Sequence, residues 1–335
     1  EKMEAEFIAR EIKKIHESTR YTFNDIAIFY RTNAQSRNLE ETLAAHGIPY
    51  TVVGAVRFYQ RKEIKDVIAY LRVIANHDDN ISLSRIINEP PRGIGKVTIN
   101  RLEELAKMEG ISLFGAVKEA IRRKLLSKKA CRELASLVEA IEALSAKAEE
   151  EKPAKIVKEV LKRTEYIEYL SASSDPESQS RIDNINELVR AAEEFQKKSE
   201  EGGFREFLDR VSIISDVDEY EEGGGRVSMM TLHSAKGLEF SVVFIAGMEE
   251  GLLPHDQALE SEDELEEERR LFYVGMTRAE RLLILSWVGK RKLDGRLLKG
   301  EQSPLLQRIS SSLVSPLRRS GWKPKPRAHQ QLNLF

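Results

Sequence analysis

The sequence predicts an α/β protein: a parallel sheet interrupted by an inserted, mainly helical domain. Three observations carry that expectation. Four short runs, IAIFY (26–30), VSMMTL (227–232), VVFIAG (242–247) and LLILSWV (282–288), are apolar without period-two alternation, as in strands covered on both faces. They fall at the two ends of the chain. Between them apolar residues recur at helical spacing: Ile64, Val67, Ile68 and Leu71; Ile99, Leu102, Leu105 and Ala106; Leu134, Leu137 and Ile141.

At 335 residues the chain is too long for one ordinary core and suits two. The joints are expected near Gly54 and in EEGGGR (221–226), whose glycines suit neither a helix nor a strand interior. The sheet domain is then 1–54 with 225–315, the insertion 55–224, and 316–335 a basic, disordered tail. A net charge of −2 argues against a uniformly basic surface, but charge is segregated. RRKLLSKK (122–129) and KRKLDGRLLK (290–299) are basic and ESEDELEEE (260–268) acidic, runs that usually form solvated faces. One cysteine, Cys131, excludes an internal disulfide framework and a cysteine-based zinc site, and fits a reducing cytoplasm. No apolar run nears the roughly 18 residues of a membrane helix and no signal-type segment opens the chain, so a soluble, cytoplasmic protein without a membrane partner is expected. The opening Glu1-Lys2, without an initiator Met, reads as a fragment.

RGIGKVT (92–98) has the glycines and lysine of a phosphate loop but not the spacing. The position five before Gly95 is Pro90, and Lys96 is followed by Val97, where a Ser or Thr is required. No other stretch satisfies the pattern. Polar residues instead gather after the strands, in RTNAQSR (31–37), HSAKGLE (233–239) and MEEGLLPH (248–255). Doubly wound sheets bind ligands outside the carboxyl ends of their strands, so these three tips are the candidate site. EEERRLFYVGMTRAERL (266–282) reads as a helix with Glu266, Glu267 and Glu268 at the positive end of its dipole. Gly275 breaks the pattern, and just beyond it Arg278 offers a planar, permanently charged group suited to phosphate.

Taken together, FYRTNAQSRNLEETL (29–43), RFYQRKEIKDVIAYLRVIAN (57–76), EPPRGIG (89–95), MTLHSAKGLEFSVVFIAGMEEGLLPH (230–255) and EEERRLFYVGMTRAE (266–280) resemble the UvrD/Rep/PcrA family of superfamily 1 DNA helicases. The resemblance implies the carboxyl-terminal half of such a motor: a RecA-like domain (2A) interrupted by a helical domain (2B). The partner domains 1A and 1B, with the P-loop and the acidic metal-binding motif, lie outside this sequence, as does the Asn-Tyr-Arg-Ser element. ATP with Mg²⁺ is the implied cofactor, held mainly by that absent part; no metal ligand is implied here.

Within this chain the resemblance makes Arg278 an arginine finger and Glu239 the acceptor for the nucleotide ribose. It makes His233 and Lys236, with Gly237 in the same loop, the link to the absent motor domain. Arg31, Asn33, Thr231 and His255 would line a single-stranded DNA path. RGIG, with Arg92, Gly93, Gly95 and Lys96, resembles a helix-hairpin-helix element that grips a duplex phosphate. The implied activity is ATP-dependent 3′-to-5′ unwinding in DNA repair or replication restart, with this fragment inactive alone. The rival reading is a non-catalytic DNA-binding or clamp-tethering module on a motor-like scaffold; a helicase-nuclease part ranks last. One departure is Asp294, which stands where many relatives place a stacking aromatic. QLNLF at the carboxyl terminus (Gln331, Leu332, Leu334, Phe335) resembles peptides that bind the bacterial sliding clamp.

Overall fold

The computed structural model describes all residues except 176, 199–202, 218–224, 294–295, 318–330 and 335. It divides into two compact units, one of residues 1–58 and 217–335, the other of residues 59–216. Most of EEGGGR, together with Asp294, Phe335 and residues 318–330 of the tail, lies outside the described residues.

The first unit opens with α1 (Lys2–Ser18), followed by β1 (Ile26–Tyr30), α2 (Ser36–Ala45) and β2 (Tyr50–Val52). The second unit contains α3 (Lys62–Ala75), α4 (Asn80–Ile86), α5 (Lys96–Glu109), α6 (Leu113–Arg122), α7 (Lys128–Ala148), α8 (Pro153–Thr164), α9 (Tyr166–Ser171) and α10 (Ser178–Lys198). A last helix, α11 (Phe204–Val217), leads back to the first unit. There the chain forms β3 (Val227–Thr231), β4 (Phe240–Ile245), α12 (Glu262–Thr277), β5 (Ala279–Ser286), a hairpin of β6 (Lys290–Leu293) and β7 (Arg296–Lys299), β8 (Val314–Pro316) and β9 (Gln331–Leu334).

The sheet runs β2-β3-β1-β4-β5-β9-β8, and its first five strands are parallel. Both faces are buried, which explains the uninterrupted apolar runs. Ile26, Ile28 and Tyr30 join a core with Ile8 and Ile12 of α1, while Ala27 and Phe29 join another with Leu271 and Phe272 of α12. In the helical unit the periodic residues point inward: Ile64, Val67, Leu71, Leu102, Leu134 and Ile141 are almost fully buried. Helix starts follow local chemistry. Asp79 accepts the Ser82 N–H, Ser112 that of Gly115 and Ser127 that of Ala130, while Pro153 opens α8.

Three expectations are corrected. The segment 266–282 is not one helix: α12 starts at Glu262, ends at Thr277, and β5 follows at once. Its first-turn acids are therefore Glu262, Asp263 and Glu264, capped by Ser261, and Glu268 lies a turn further on, buried. Gly275 does not break this helix. A Cβ there would stand 2.4 Å from Leu232 Cδ2 and 3.2 Å from Ile245 Cδ1, so the missing side chain lets α12 lie close on the sheet. The tail is not wholly disordered: Gln331–Leu334 pairs antiparallel with β5 and β8, supplying backbone partners to an otherwise open edge.

Candidate functional site

The parallel strands place the expected residues at two opposite edges of the sheet rather than at one. Arg31 follows the carboxyl end of β1, Thr231 is the last residue of β3, and the loop bearing His255 follows the carboxyl end of β4. Glu239 and Arg278 immediately precede β4 and β5, at their amino ends. HSAKGLE is thus not a tip: because β3 and β4 are both parallel to the β1 between them, the connection must run back along the sheet. Thr231 stands at one edge, Gly237 and Glu239 at the other.

At the carboxyl edge the Arg31 guanidinium is turned onto Glu268. Its Nε lies 2.9 and 3.1 Å from the two carboxylate oxygens and its Nη2 2.7 Å from Oε1. Glu268 Oε2 also accepts the His255 N–H at 3.3 Å. The Arg31 and Thr32 N–H groups both donate to Gln35 Oε1 at 2.9 Å, which organises the turn carrying Asn33. Gly247, at φ +78°, lets the loop after β4 settle on that turn, since a Cβ would fall 2.5 Å from Gln35 Nε2. The leucines of GLLPH are anchors: Leu252 and Leu253 are fully buried while His255 is half-buried. The Thr231 hydroxyl accepts the Ser234 N–H and contacts the Ser234 hydroxyl at 3.0 Å. Desolvation, and next the Arg31 cation, hold the His233 imidazole below its usual pKa.

At the amino edge Arg278 and Glu239 adjoin. Arg278 Nη1 donates to the Leu238 carbonyl at 3.1 Å, Nε to the Val274 carbonyl at 3.2 Å and Nη2 to the Thr277 hydroxyl at 3.0 Å. Its own carbonyl accepts the Phe240 N–H at 2.9 Å, which ties residues 238–240 to the start of β5. These partners are all neutral, so none of them is a counter-charge to the half-exposed guanidinium, which lies beside the exposed Glu239 in a connection where Lys236 and Gly237 are exposed too. Gly237 takes φ +84°, where a side chain would be strained.

A buried triad that sequence reasoning missed supports the loop after β4. Arg291 donates from Nε to Glu249 Oε2 at 2.6 Å and from Nη2 to Glu249 Oε1 at 3.0 Å and Glu4 Oε2 at 2.5 Å. Glu249 further accepts the Val288 N–H at 2.7 Å, and Glu4 accepts the Gly247 N–H at 3.0 Å and the Ser286 hydroxyl at 2.7 Å. Burial pushes the Glu249 carboxyl up, whereas at Glu4 burial is outweighed by Arg291 and the hydrogen bonds and the carboxyl is held down. The solvated basic face expected of residues 290–299 fails at Arg291, which is 6% exposed. Arg291 stands 287 positions from Glu4 and 42 from Glu249, so the triad carries no local signal.

In the helical unit Arg92 is a clasp rather than a projecting cation. Its Nη1 donates to the carbonyls of Ile86 and Pro90 at 2.9 and 3.2 Å, and Nη2 to the Tyr70 hydroxyl. Tyr70 in turn donates to the Glu89 carbonyl at 2.6 Å, and burial pushes its hydroxyl up to about 12. Asn88 Oδ1 accepts the Arg92 and Ile94 N–H groups at 2.9 and 3.0 Å. This leaves Gly93, at φ +70°, with Gly95 and Lys96 exposed at the start of α5. Gly95 is the N-cap of α5 and makes no side-chain cap, so the first turn faces outward unshielded. Among the described residues no cluster of three or more His, Cys, Asp or Glu is arranged to hold a metal, and no helix is long and apolar enough to cross a membrane.

A five-stranded parallel sheet with Arg278 and Glu239 on one rim, interrupted by a helical unit, has the architecture of a RecA-like helicase C-terminal domain. Residues 1–290 match the UvrD-like helicase C-terminal domain, and the chain belongs to that family. It is 42% identical over 320 residues to the ATP-dependent DNA helicase PcrA of Bacillus subtilis, covering 94% of this chain and 43% of that protein. It is 43% identical over 338 residues to the ATP-dependent DNA helicase UvrD1 of Mycobacterium tuberculosis, covering 96% and 44%. PcrA of Staphylococcus aureus is 45% identical over 318 residues, covering 94% and 43%. The chain therefore spans less than half the length of these curated relatives.

Proposed function

We propose that this chain is the 2A/2B part of an ATP-dependent 3′-to-5′ DNA helicase acting in repair or replication restart. Its Arg278 and Glu239 form one wall of a composite nucleotide site. The observation that carries the reading is their adjacency: a guanidinium with only neutral partners, next to an exposed carboxylate, on one rim of the sheet. That pair fits ATP. The cation is placed to stabilise charge building on a transferred phosphoryl group, and the carboxylate to accept a hydrogen bond from a sugar hydroxyl. ATP with Mg²⁺ supplies the driving hydrolysis when bound, its phosphates and metal held by the preceding 1A/1B domains. His233 and Lys236 face those domains from the same connection. Asn33, Thr231 and His255 contribute to a sequence-independent single-strand path at the opposite edge. Gly93, Gly95 and Lys96 at the start of α5 approach a duplex phosphate, with Arg92 holding their loop in shape.

The terminal QLNLF is assigned to sliding-clamp docking. Because Gln331–Leu334 is paired between β5 and β8, docking requires the segment to leave both pairings. The test of the central reading is Arg278→Ala in the full-length protein. DNA-stimulated ATP hydrolysis falls by about 10³-fold or more while DNA binding is retained. Near-normal turnover refutes the finger.

A further inference from the structure

We propose that Arg31 is a positioning residue rather than a phosphate contact, and that with Glu268 it braces the DNA-facing loops to the helix that presents Arg278. This rests on the helicase reading above. Three features of the geometry carry it. Arg31 is committed through two nitrogens to a carboxylate that is 4% exposed, and its own side chain is 22% exposed. A phosphate taking the guanidinium would leave Glu268 ionised, buried and stripped of its counter-charge, the costly way to break such a pair. Glu268 also holds the His255 backbone, so the turn after β1 and the loop after β4 meet on one side chain.

That side chain belongs to α12, which runs the length of the sheet. Ten residues separate Glu268 from Arg278, about 15 Å of helix rise. Gly275 seats the intervening turn directly against Leu232 and Ile245, so α12 cannot shift at one end without moving the connection that carries His233. Arg31 and Glu268 thus fix the register of the helix whose far end aims the finger. The remaining neighbours agree: His233 feels the Arg31 cation and, with opposite sign, the carboxylates of Glu267 and Glu268. Local sequence gives Glu268 no such role, since it sits in a run of acids that looks solvated.

The experiment uses the full-length protein with oligo(dT), comparing wild type with Arg31→Gln, Arg31→Lys, Glu268→Gln and the Arg31→Gln/Glu268→Gln double variant. Two quantities are read: kcat for hydrolysis at saturating DNA, and the slope of log K against log salt for DNA binding. Each single variant is expected to lower kcat at least tenfold, the double variant no further than the worse single, and the salt slope to stay at the wild-type value. Arg31→Lys is the discriminating case, because it preserves charge but not the two-pronged geometry. A brace fails with lysine; a phosphate contact survives it.

The proposal is overturned if Arg31→Gln lowers the salt slope by about 0.7, the share of one single-strand phosphate. It is equally overturned if Arg31→Lys turns over normally, or if Glu268→Gln binds DNA more tightly with unchanged kcat. A wild-type protein without DNA-stimulated hydrolysis would instead remove the helicase reading itself.

Discussion

Truncating Glu249 to Ala tests how the loop after β4 is held. The carboxylate is 2% exposed and receives two hydrogen bonds from Arg291 and one from the Val288 N–H. Removing it leaves a buried guanidinium with half its neutralisation and a buried N–H with none. Breaking a buried pair from one side costs about 3–5 kcal/mol. Glu4 still touches Arg291, which places the expected loss near the lower end, about 3 kcal/mol. For a unit of this size that is a fall in Tm of roughly 6–12 °C.

The assay separates the two units. The helical unit of residues 59–216 contains no tryptophan, and Trp287, beside the triad and 8% exposed, reports on the sheet unit. Tryptophan fluorescence in a urea titration should shift to lower midpoint with unchanged slope, while the far-UV signal of the helical unit keeps its midpoint. A fluorescence change below about 1 kcal/mol would refute the reasoning, since a surface pair typically contributes no more than that. An equal shift of both signals would also refute it.

Two further outcomes concern protons. Desolvation, and next the Arg31 cation, lower the pKa of His233, so its NMR titration midpoint should lie below 6.5 and rise in Arg31→Gln, which removes a cation and frees a carboxylate. A midpoint unmoved by that substitution would contradict the placement of the two groups. Its contribution to stability is lost as pH falls, because the unfolded chain takes up the proton first. Tyr70 works at the other end of the scale. It ionises at about 12 in the fold against 10 when unfolded, so the unfolded chain gives up its proton first as pH rises between them. The helical unit should lose about 2–3 kcal/mol across that window, and Tyr70→Phe should flatten the alkaline limb of the far-UV midpoint. An identical limb in the variant would rule Tyr70 out as its source.

Much of the fold was legible because its signals are local. The uninterrupted apolar runs marked strands buried on both faces, and the switch to helical spacing between them marked the second unit. Arg278 and Glu239 were found by motif and do adjoin. Glu268 and Arg291 escape a one-dimensional reading for one shared reason. A charge in a charged run looks solvated, yet both are buried among groups that only the folded chain brings close. Arg92 differs: its motif marks the loop, but only the fold shows the guanidinium turned onto the carbonyls of Ile86 and Pro90. Gly275 was misread likewise, because the clash it avoids is with Leu232, 43 positions away in the chain and reachable only across the helix–sheet contact.

What the sequence by itself determined was the inventory and its order: which segments are strands, which residues carry chemistry, and the family. What only the tertiary structure decided was the side of the sheet on which each group acts. Parallel strands point the same way, so residues that follow a strand and residues that precede one end up at opposite edges. The chain between them must travel the sheet's full length, and α12 does so carrying Glu268 near one edge and Arg278 at the other.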